Sequence, residues 1–234
     1  MSVGLFVQAR LNSSRLPKKM LKTLYKNKPI IYLSLQAASE LTYDEKVLLI
    51  PKGEKPYFKD IAQEFEFDII EGPENDVLGR FIKGLNAFPN VDIVQRVCAD
   101  KVIFSPLHQN FALEESKMCS YDLTHYIEDP VKSVTAGIYR AESLFRIDKS
   151  YKPYNKNWNM YREHIKPVFL DSSNGYHINT IPVSTAMIKS SIDISIDTIE
   201  DLWRMMAMFG DLNKGKPLDF FDVLEWFAEN KKTI

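Results

Sequence analysis

The sequence predicts an α/β fold built on a mainly parallel sheet, and three observations carry that expectation. Residues 3–7 are a short apolar run without alternation, the pattern of a strand buried on both faces, and 46–50 and 92–97 read as further strands. Segments whose apolar residues fall at helical spacing lie between them. Alternating strand and helix at this interval implies right-handed crossovers, which lay successive strands side by side and parallel.

Val3-Gly4-Leu5-Phe6-Val7 is the first strand, and a basic loop over residues 9–19 follows it. Pro29 opens a helix over 30–41, at a first-turn position where its missing N–H does no harm. Residues 46–50 form the second strand, ended by Pro51; 57–65 is an amphipathic helix and 67–70 a third strand. Over 75–87, Val77, Leu78, Phe81, Ile82 and Leu85 share one helix face. The strand at 92–97 runs into Cys98-Ala99-Asp100, and 106–118 is the next helix.

Beyond residue 120 the pattern loosens. A strand is expected over 133–139, a short helix over 141–146, an exposed polar and aromatic loop over 150–158, and a helix over 161–170 despite Pro167. A strand over 192–196 then leads through Asp197 into an amphipathic helix over 198–209. No internal repeat, heptad array or low-complexity tract interrupts the chain. Residues 1–234 are read as one domain, with an irregular or dimerisation segment around 120–180.

A chain of 234 residues, 45% hydrophobic and 26% charged, can bury a sizeable core without staples. Cys98 and Cys119 lie too far apart for a metal or redox motif, which suits a reduced, cytoplasmic setting. Arg10 interrupts the only early apolar stretch, so neither a signal peptide nor a membrane span is expected. The net charge of −1 argues against a general nucleic-acid binder. That average hides an asymmetry. Residues 1–39 hold no Asp or Glu, yet carry Arg10, Arg15, Lys18, Lys19, Lys22, Lys26 and Lys28. This reads as a local anion site, with a solvated basic face as the alternative.

The loop after the first strand sits where α/β proteins place ligands, at the carboxyl ends of parallel strands. Arg10, Arg15 and Lys19 are the cations for phosphate oxygens there, and Ser13 and Ser14 add hydroxyls. The loop is not a Walker motif, because G-x-x-x-x-G-K-[ST] is absent. Asp100, after the strand at 92–97, is either a divalent-cation ligand or a turn former. Asp197 is a metal ligand or, with Thr198, a helix cap, and Asp193 competes for the metal role. Asp76 and Arg80 stand at i, i+4 on a helix start, as site residues or as a surface ion pair. Arg162-Glu163-His164 groups polar side chains beside the aromatic loop. No Ser/His/Asp order stands out for nucleophilic catalysis, and the histidines show no metal-ligand spacing.

Taken together, these residues are recognisable. Ala9-Arg10-Leu11-Asn12-Ser13-Ser14-Arg15-Leu16-Pro17-Lys18-Lys19 resembles the A-R-x-x-S-x-R-L-P-x-K signature of cytidylyltransferases that activate acidic sugars. Similarity is greatest to the spore-coat polysaccharide branch, related to CMP-KDO synthetases. It continues through Gly72 to Phe81, which resembles G-x-x-x-D-V-L-x-R-[FY], and through Arg96 to Asp100, Arg162 to His164 and Ile196 to Leu202. The resemblance implies a Rossmann-like nucleotidyltransferase fold, three-layered with a mainly parallel, mixed sheet, and usually a homodimer. It implies attack of a sugar oxygen on the α-phosphate of CTP with release of pyrophosphate, for surface polysaccharide or glycan synthesis. By residue, it assigns Ala9, Arg10, Ser13, Arg15, Lys19, Asp76, Arg80 and Arg96 to the nucleotide and Arg162, Glu163 and His164 to the sugar. Asp100 and Asp197 would hold Mg²⁺, and Arg10, Arg15, Lys19 and Asp100 would be catalytic.

Two stretches depart from the family. Lys101-Val102-Ile103-Phe104-Ser105-Pro106 replaces a segment that normally carries a second Asp. Val134-Thr135-Ala136-Gly137-Ile138 stands where relatives carry two acids facing the sugar. An unusual acceptor is one reading of this, and nucleotide binding without turnover is another. A nucleotide-sugar glycosyltransferase on the same scaffold is a further rival, but it would normally want a D-x-D motif, and Asp100 has no such partner.

Overall fold

The computed structural model describes residues 1–126, 134–150, 157–182, 194–212 and 217–230. The strands β1 (Ser2–Gln8), β2 (Thr23–Tyr25), β3 (Lys28–Pro29), β4 (Glu45–Pro51), β5 (Asp68–Gly72), β6 (Val91–Cys98), β7 (Leu123–Tyr126), β8 (Gly137–Arg140) and β9 (Ile178–Ile181) alternate with helices. The helices are α1 (Ile30–Ala38), α2 (Lys55–Glu64), α3 (Val77–Ala87), α4 (Pro106–Met118), α5 (Ala141–Ser150), α6 (Trp158–Glu163), α7 (Ile165–Leu170), α8 (Ile199–Leu212) and α9 (Phe220–Asn230).

Seven strands make one mixed sheet in the order β5-β4-β1-β6-β8-β7-β9. The block β5-β4-β1-β6 is parallel throughout, β8 runs antiparallel to both its neighbours, and β9 is parallel to β7. Side chains alternate across this sheet as its pleat requires. Leu5, Val7, Leu48, Ile50, Ile93 and Val97 face one core, shared with α1, α2, α4, α8 and α9. Phe6, Val47, Leu49 and Val94 face the other, under α3, α5, α6 and α7. The expected three-layer α/β architecture is therefore observed. Its central strands read as apolar runs because both of their faces are covered. No described helix is long and apolar enough to cross a membrane.

The strands β2 and β3 form a separate hairpin, turned by Lys26 and Asn27, both at positive φ (45° and 61°) as a type I′ turn requires.

The later elements correct the sequence-based expectations. The strand expected over 133–139 starts only at Gly137; Ser133 lies outside the described residues. Before it, Ser105 N–H donates to Val134 O (3.0 Å) and Ala136 N–H donates to Gln109 Oε1 (2.8 Å), so the start of α4 takes the groups a neighbouring strand would need. The helix expected over 161–170 is broken at His164, whose backbone is extended (φ −120°, ψ 90°). Restarting at Ile165 puts Pro167 in the first turn of α7, where no intrahelical N–H is required. Of the strand expected over 192–196, residues 192 and 193 lie outside the described residues; Ile194 and Ile196 are buried, yet among the described residues 194–197 join no ladder. Their alternation reflects contact with the core alone. Within 120–180, the described residues supply β7, β8, β9 and α5 to α7; most of the expected loop at 150–158 lies outside them.

His108, on α4, sits edge-on to Tyr126 and Phe220 (centroids 6.0 and 5.3 Å), with Ser105 Oγ 2.6 Å from Nδ1. Burial holds its imidazole below the ordinary value of 6.5. The unfolded chain therefore takes up a proton that the folded chain resists. This contribution to stability is intact above about pH 6.5 and is lost as pH falls through the depressed folded value. His108→Gln is expected to flatten the fall in urea midpoint from about pH 7 to pH 5; an unchanged slope would assign the acid sensitivity elsewhere.

Candidate active site

In chain order, β4 and then β5 are laid down on one side of β1, and β6 on the other. The connections leaving the carboxyl ends of β1 and β6 thus diverge, opening a crevice at the switch point. A cavity of about 320 Å³ lies there, with Gln8 to Arg10 on one wall and Arg96 to Asp100 on the other. The strand ends are held in register beyond the ladder, since Ala9 N–H donates to Leu49 O and Ala99 N–H donates to Gln8 O, both at 3.0 Å.

The basic loop is shaped by its own contacts. Leu11 N–H donates to the Glu54 carboxylate (3.0 Å to Oε2), and Asn12 Nδ2 donates to Glu74 Oε1 (2.8 Å). Burial holds the Glu54 carboxyl above its ordinary value, against the opposing pull of the Leu11 N–H. Leu16 N–H donates to Ser13 Oγ (3.4 Å), and Lys18 turns the chain at φ 53° with its N–H on Leu11 O (3.1 Å). Loop backbone, hairpin and α1 together bring Lys19 inward while Arg10 and Arg15 stay at the surface.

The cations are not equivalent. Lys19 is buried, and its Nζ lies 3.0 Å from both Asp100 Oδ2 and Asp197 Oδ1. Arg15 meets the other oxygen of Asp197 at 3.1 Å but is 64% exposed. Arg10 pairs loosely with Glu163 at 3.5 Å. Asp197 is presented by a reciprocal cap at the start of α8, in which Thr198 N–H donates to Asp201 Oδ2 (2.9 Å) and Asp201 N–H donates to Thr198 Oγ1 (3.2 Å). Burial raises the Asp201 carboxyl, but the Thr198 and Asp197 N–H groups and Arg204 outweigh it and hold it below the ordinary range. Because Thr198 and Asp201 serve as the cap, the Asp197 carboxylate is left for Lys19 and Arg15.

Two carboxylates from opposite parts of the chain thus converge on one cationic position. Their all-oxygen donor set fits a hard divalent ion such as Mg²⁺, which takes one or two protein carboxylates and completes its shell with phosphate and water. Among the described residues no group of three or more acids, histidines or cysteines could hold a metal, and this pair of carboxylates faces the Lys19 ammonium. Asp193 lies outside the described residues.

Asp76 and Arg80 do not pair across their helix turn. Arg80, 2% exposed, turns back to donate to Pro73 O (2.5 Å) and Glu74 O (2.7 Å). Asp76 caps α3 through Gly79 N–H (2.8 Å) and takes the Arg162 guanidinium on both oxygens. Arg162 also pairs with Asp148 and lies against the Trp158 ring (4.8 Å to its centroid). Two glycines make this possible by close approach. A Cβ on Gly72 would meet Arg80 Cγ at 2.7 Å, and one on Gly79 would meet Asp76 Oδ2 at 2.2 Å.

The main cavity brings together Ala9, Arg10, Ser13, Arg15, Lys19, Arg80, Arg96, Asp100, Glu163, His164 and Asp197 from the residues singled out in sequence. It leaves out Asp76 and Arg162, which line a separate cleft with Trp158. Gln8 and Cys98 also line it, and neither was singled out from the sequence as a site residue. They are the last residues of β1 and β6, and position at a strand's carboxyl end was the signal that could have found them. Gln8 Oε1 accepts from Arg96 Nε at 3.0 Å.

A polyphosphate-sized crevice rimmed by cations, at the switch point of a parallel sheet, is the working end of a nucleotidyltransferase, and the comparisons agree on that class. The family is narrower. The chain belongs to the cytidylyltransferases, whose family profile matches residues 5–211, and CTP is accordingly its nucleotide substrate. A cytidylyltransferase from Leptospira borgpetersenii serovar Hardjo-bovis superimposes with a TM-score of 0.86 at 20% identity, over 99% of this chain and 95% of that one. A CMP:2-keto-3-deoxy-manno-octonic acid synthetase solved with CTP gives 0.67 at 14% identity, over 90% and 99% of the two chains. A Mycobacterium tuberculosis protein solved with manganese gives 0.63 at 10%, over 88% and 99%. At these identities the likeness is one of fold. No curated protein matches the chain.

Proposed function

We propose that the chain transfers CMP from CTP to an oxygen of an acidic or modified sugar, with Mg²⁺ held at Asp100 and Asp197, in the synthesis of a surface polysaccharide or glycan. The observation that carries this reading is the convergence of both carboxylates on the Lys19 ammonium beneath the basic loop. The sugar oxygen attacks the α-phosphorus, the bond to the bridging oxygen breaks, pyrophosphate leaves, and the attacking hydroxyl loses its proton. Phosphoryl-type transfer asks the protein mainly for alignment and charge neutralisation. Asp100 and Asp197 would hold Mg²⁺, which would supply Lewis-acid polarisation of phosphate oxygens.

The chain's own residues do the rest. Arg10 and Arg15 reach the triphosphate from the rim, Arg15 with a planar two-pronged donor. Lys19 adds a buried positive charge between acids and phosphates. Arg96, fixed by Gln8, faces the cavity from β6, and Glu163 and His164 line its far wall toward the sugar. Arg162 acts through Asp76 and α3 as a positioning residue. The homodimer implied by the sequence resemblance belongs to the same proposal and is read by sedimentation.

Pyrophosphate release from each of the four NTPs, with Mg²⁺ and a panel of acidic sugars, tests the reading. Release with CTP alone is expected, and release with another NTP in preference overturns it. Because Arg15 is largely exposed, Arg15→Ala is expected to raise the Kd for CTP by roughly tenfold, the low end for a charge-assisted contact; unchanged affinity removes Arg15 from the nucleotide site. Thr135 and Gly137, in place of acids, favour one second reading, a homologue that binds nucleotide without turnover. Calorimetric CTP binding with no release on any acceptor would select it.

A further inference from the structure

The two carboxylates read above as metal ligands already hold cations of the protein's own. Lys19 Nζ lies 3.0 Å from Asp100 Oδ2 and 3.0 Å from Asp197 Oδ1, while Arg15 takes the second oxygen of Asp197 at 3.1 Å. Two acids are thus matched by two bases, and both oxygens of Asp197 are engaged. The two bases are held unequally. The Lys19 side chain is 8% exposed and that of Arg15 64% exposed, so water screens the arginine pair far more than the lysine pairs. The Lys19 backbone is fixed as well, since its N–H donates to Leu16 O (3.1 Å) and its carbonyl accepts from Lys22 N–H (3.0 Å). Any exchange of partner therefore falls to its side chain, a flexible four-carbon stem.

A divalent ion held by the same carboxylates competes with this ammonium. It needs oxygens that Lys19 and Arg15 occupy, and it adds two positive charges to four side chains whose charges already cancel. Like charges repel strongly at such short range where water is largely excluded. A triphosphate reverses the balance. Lys19 lines the main cavity, and a lysine ammonium has three N–H donors, of which the carboxylates take two. Phosphate oxygens arriving there give Lys19 and Arg15 new anionic partners, release carboxylate oxygens, and bring negative charge that offsets the incoming ion.

We propose that Lys19 is a placeholder cation: it holds Asp100 and Asp197 together and keeps a divalent ion out until a triphosphate takes its ammonium, so that metal and nucleotide bind as one unit. The inference rests on the reading of these two acids as the metal ligands. It also accounts for the burial of Lys19, which a cation serving phosphate alone would not need; Arg10 and Arg15 stay at the rim.

The test reads Mn²⁺ binding to the full chain by electron paramagnetic resonance with no nucleotide present. Lys19→Met is expected to bind Mn²⁺ about tenfold or more tightly than the unsubstituted chain, because the competing charge is gone and the carboxylates are left to the metal. Lys19→Arg keeps a cation in place and should keep the weak binding. A lysine that only shapes the site predicts weaker metal binding in Lys19→Met, and one that only contacts phosphate predicts no change; either result overturns the proposal. Adding Asp100→Asn to Lys19→Met tests the underlying reading separately. The gain is expected to vanish, and a gain that survives puts the metal elsewhere and overturns the assignment of Asp100.

Should Lys19→Met not fold, the unsubstituted chain decides. With ¹³C-labelled lysine, the ε-CH₂ signal of Lys19 is identified by its absence from Lys19→Arg. It is expected to stay sharp in Mn²⁺ alone and to broaden once the α,β-methylene analogue of CTP is added. Equal broadening without the analogue overturns the placeholder role, and no broadening even with it overturns the metal assignment together with the proposal.

Discussion

Asp100→Asn is expected to slow pyrophosphate release from CTP by about 10²- to 10³-fold, the loss typical when one preorganised charge is removed from a transition state. The amide keeps the carboxylate's shape and removes its charge, and with it half of the acid pair facing Lys19. Stability should hardly change. Asp100 is 28% exposed, and Lys19 keeps Asp197 as its counter-charge at 3.0 Å, so no buried ion is stranded. Two readouts together separate chemistry from folding: the thermal transition stays in place while Mn²⁺ binding, followed by electron paramagnetic resonance, weakens. A loss of activity below about threefold would place the metal away from Asp100.

Arg162→Met is expected to act in the opposite way, on the fold before the chemistry. The guanidinium is 12% exposed and holds Asp76 of α3 and Asp148 of α5 at once, against the Trp158 ring. Burial disfavours the charge, but hydrogen bonds to Asp76 and Asp148 more than offset it and raise the Arg162 pKa. Truncation leaves two carboxylates near each other without their cation. The loss is about 2–3 kcal/mol, reduced from the fully buried case because the carboxylates reach water. For a chain of this size that corresponds to a fall in Tm of roughly 4–12 °C by calorimetry. CTP affinity should weaken only as far as the start of α3 shifts. A stable variant that loses sugar turnover alone would make Arg162 a direct sugar contact instead.

How much of this could be read in the sequence follows from physical range. The parallel block was legible because β1 and β4 are covered on both faces, and continuous apolar runs are the consequence. The antiparallel half was harder. Leu123-Thr124-His125-Tyr126 is buried at every position although it is partly polar, so no hydrophobic period marks β7. Gln109 and Ser105 took the backbone groups of 134–136, a choice made by α4 packing and invisible along the chain.

The same division holds at the site. The sequence by itself determined the basic loop, its place after the first strand, and the glycines that make room for Arg80 and for the cap on α3, because each depends on residues close together in the chain. Tertiary structure alone decided that Lys19 would stand apart from Arg10 and Arg15, buried between Asp100 and Asp197, and that Arg162 would hold Asp76 outside the main cavity. Electrostatic partnership falls off over a few ångströms of space, and a linear sequence carries no measure of that distance.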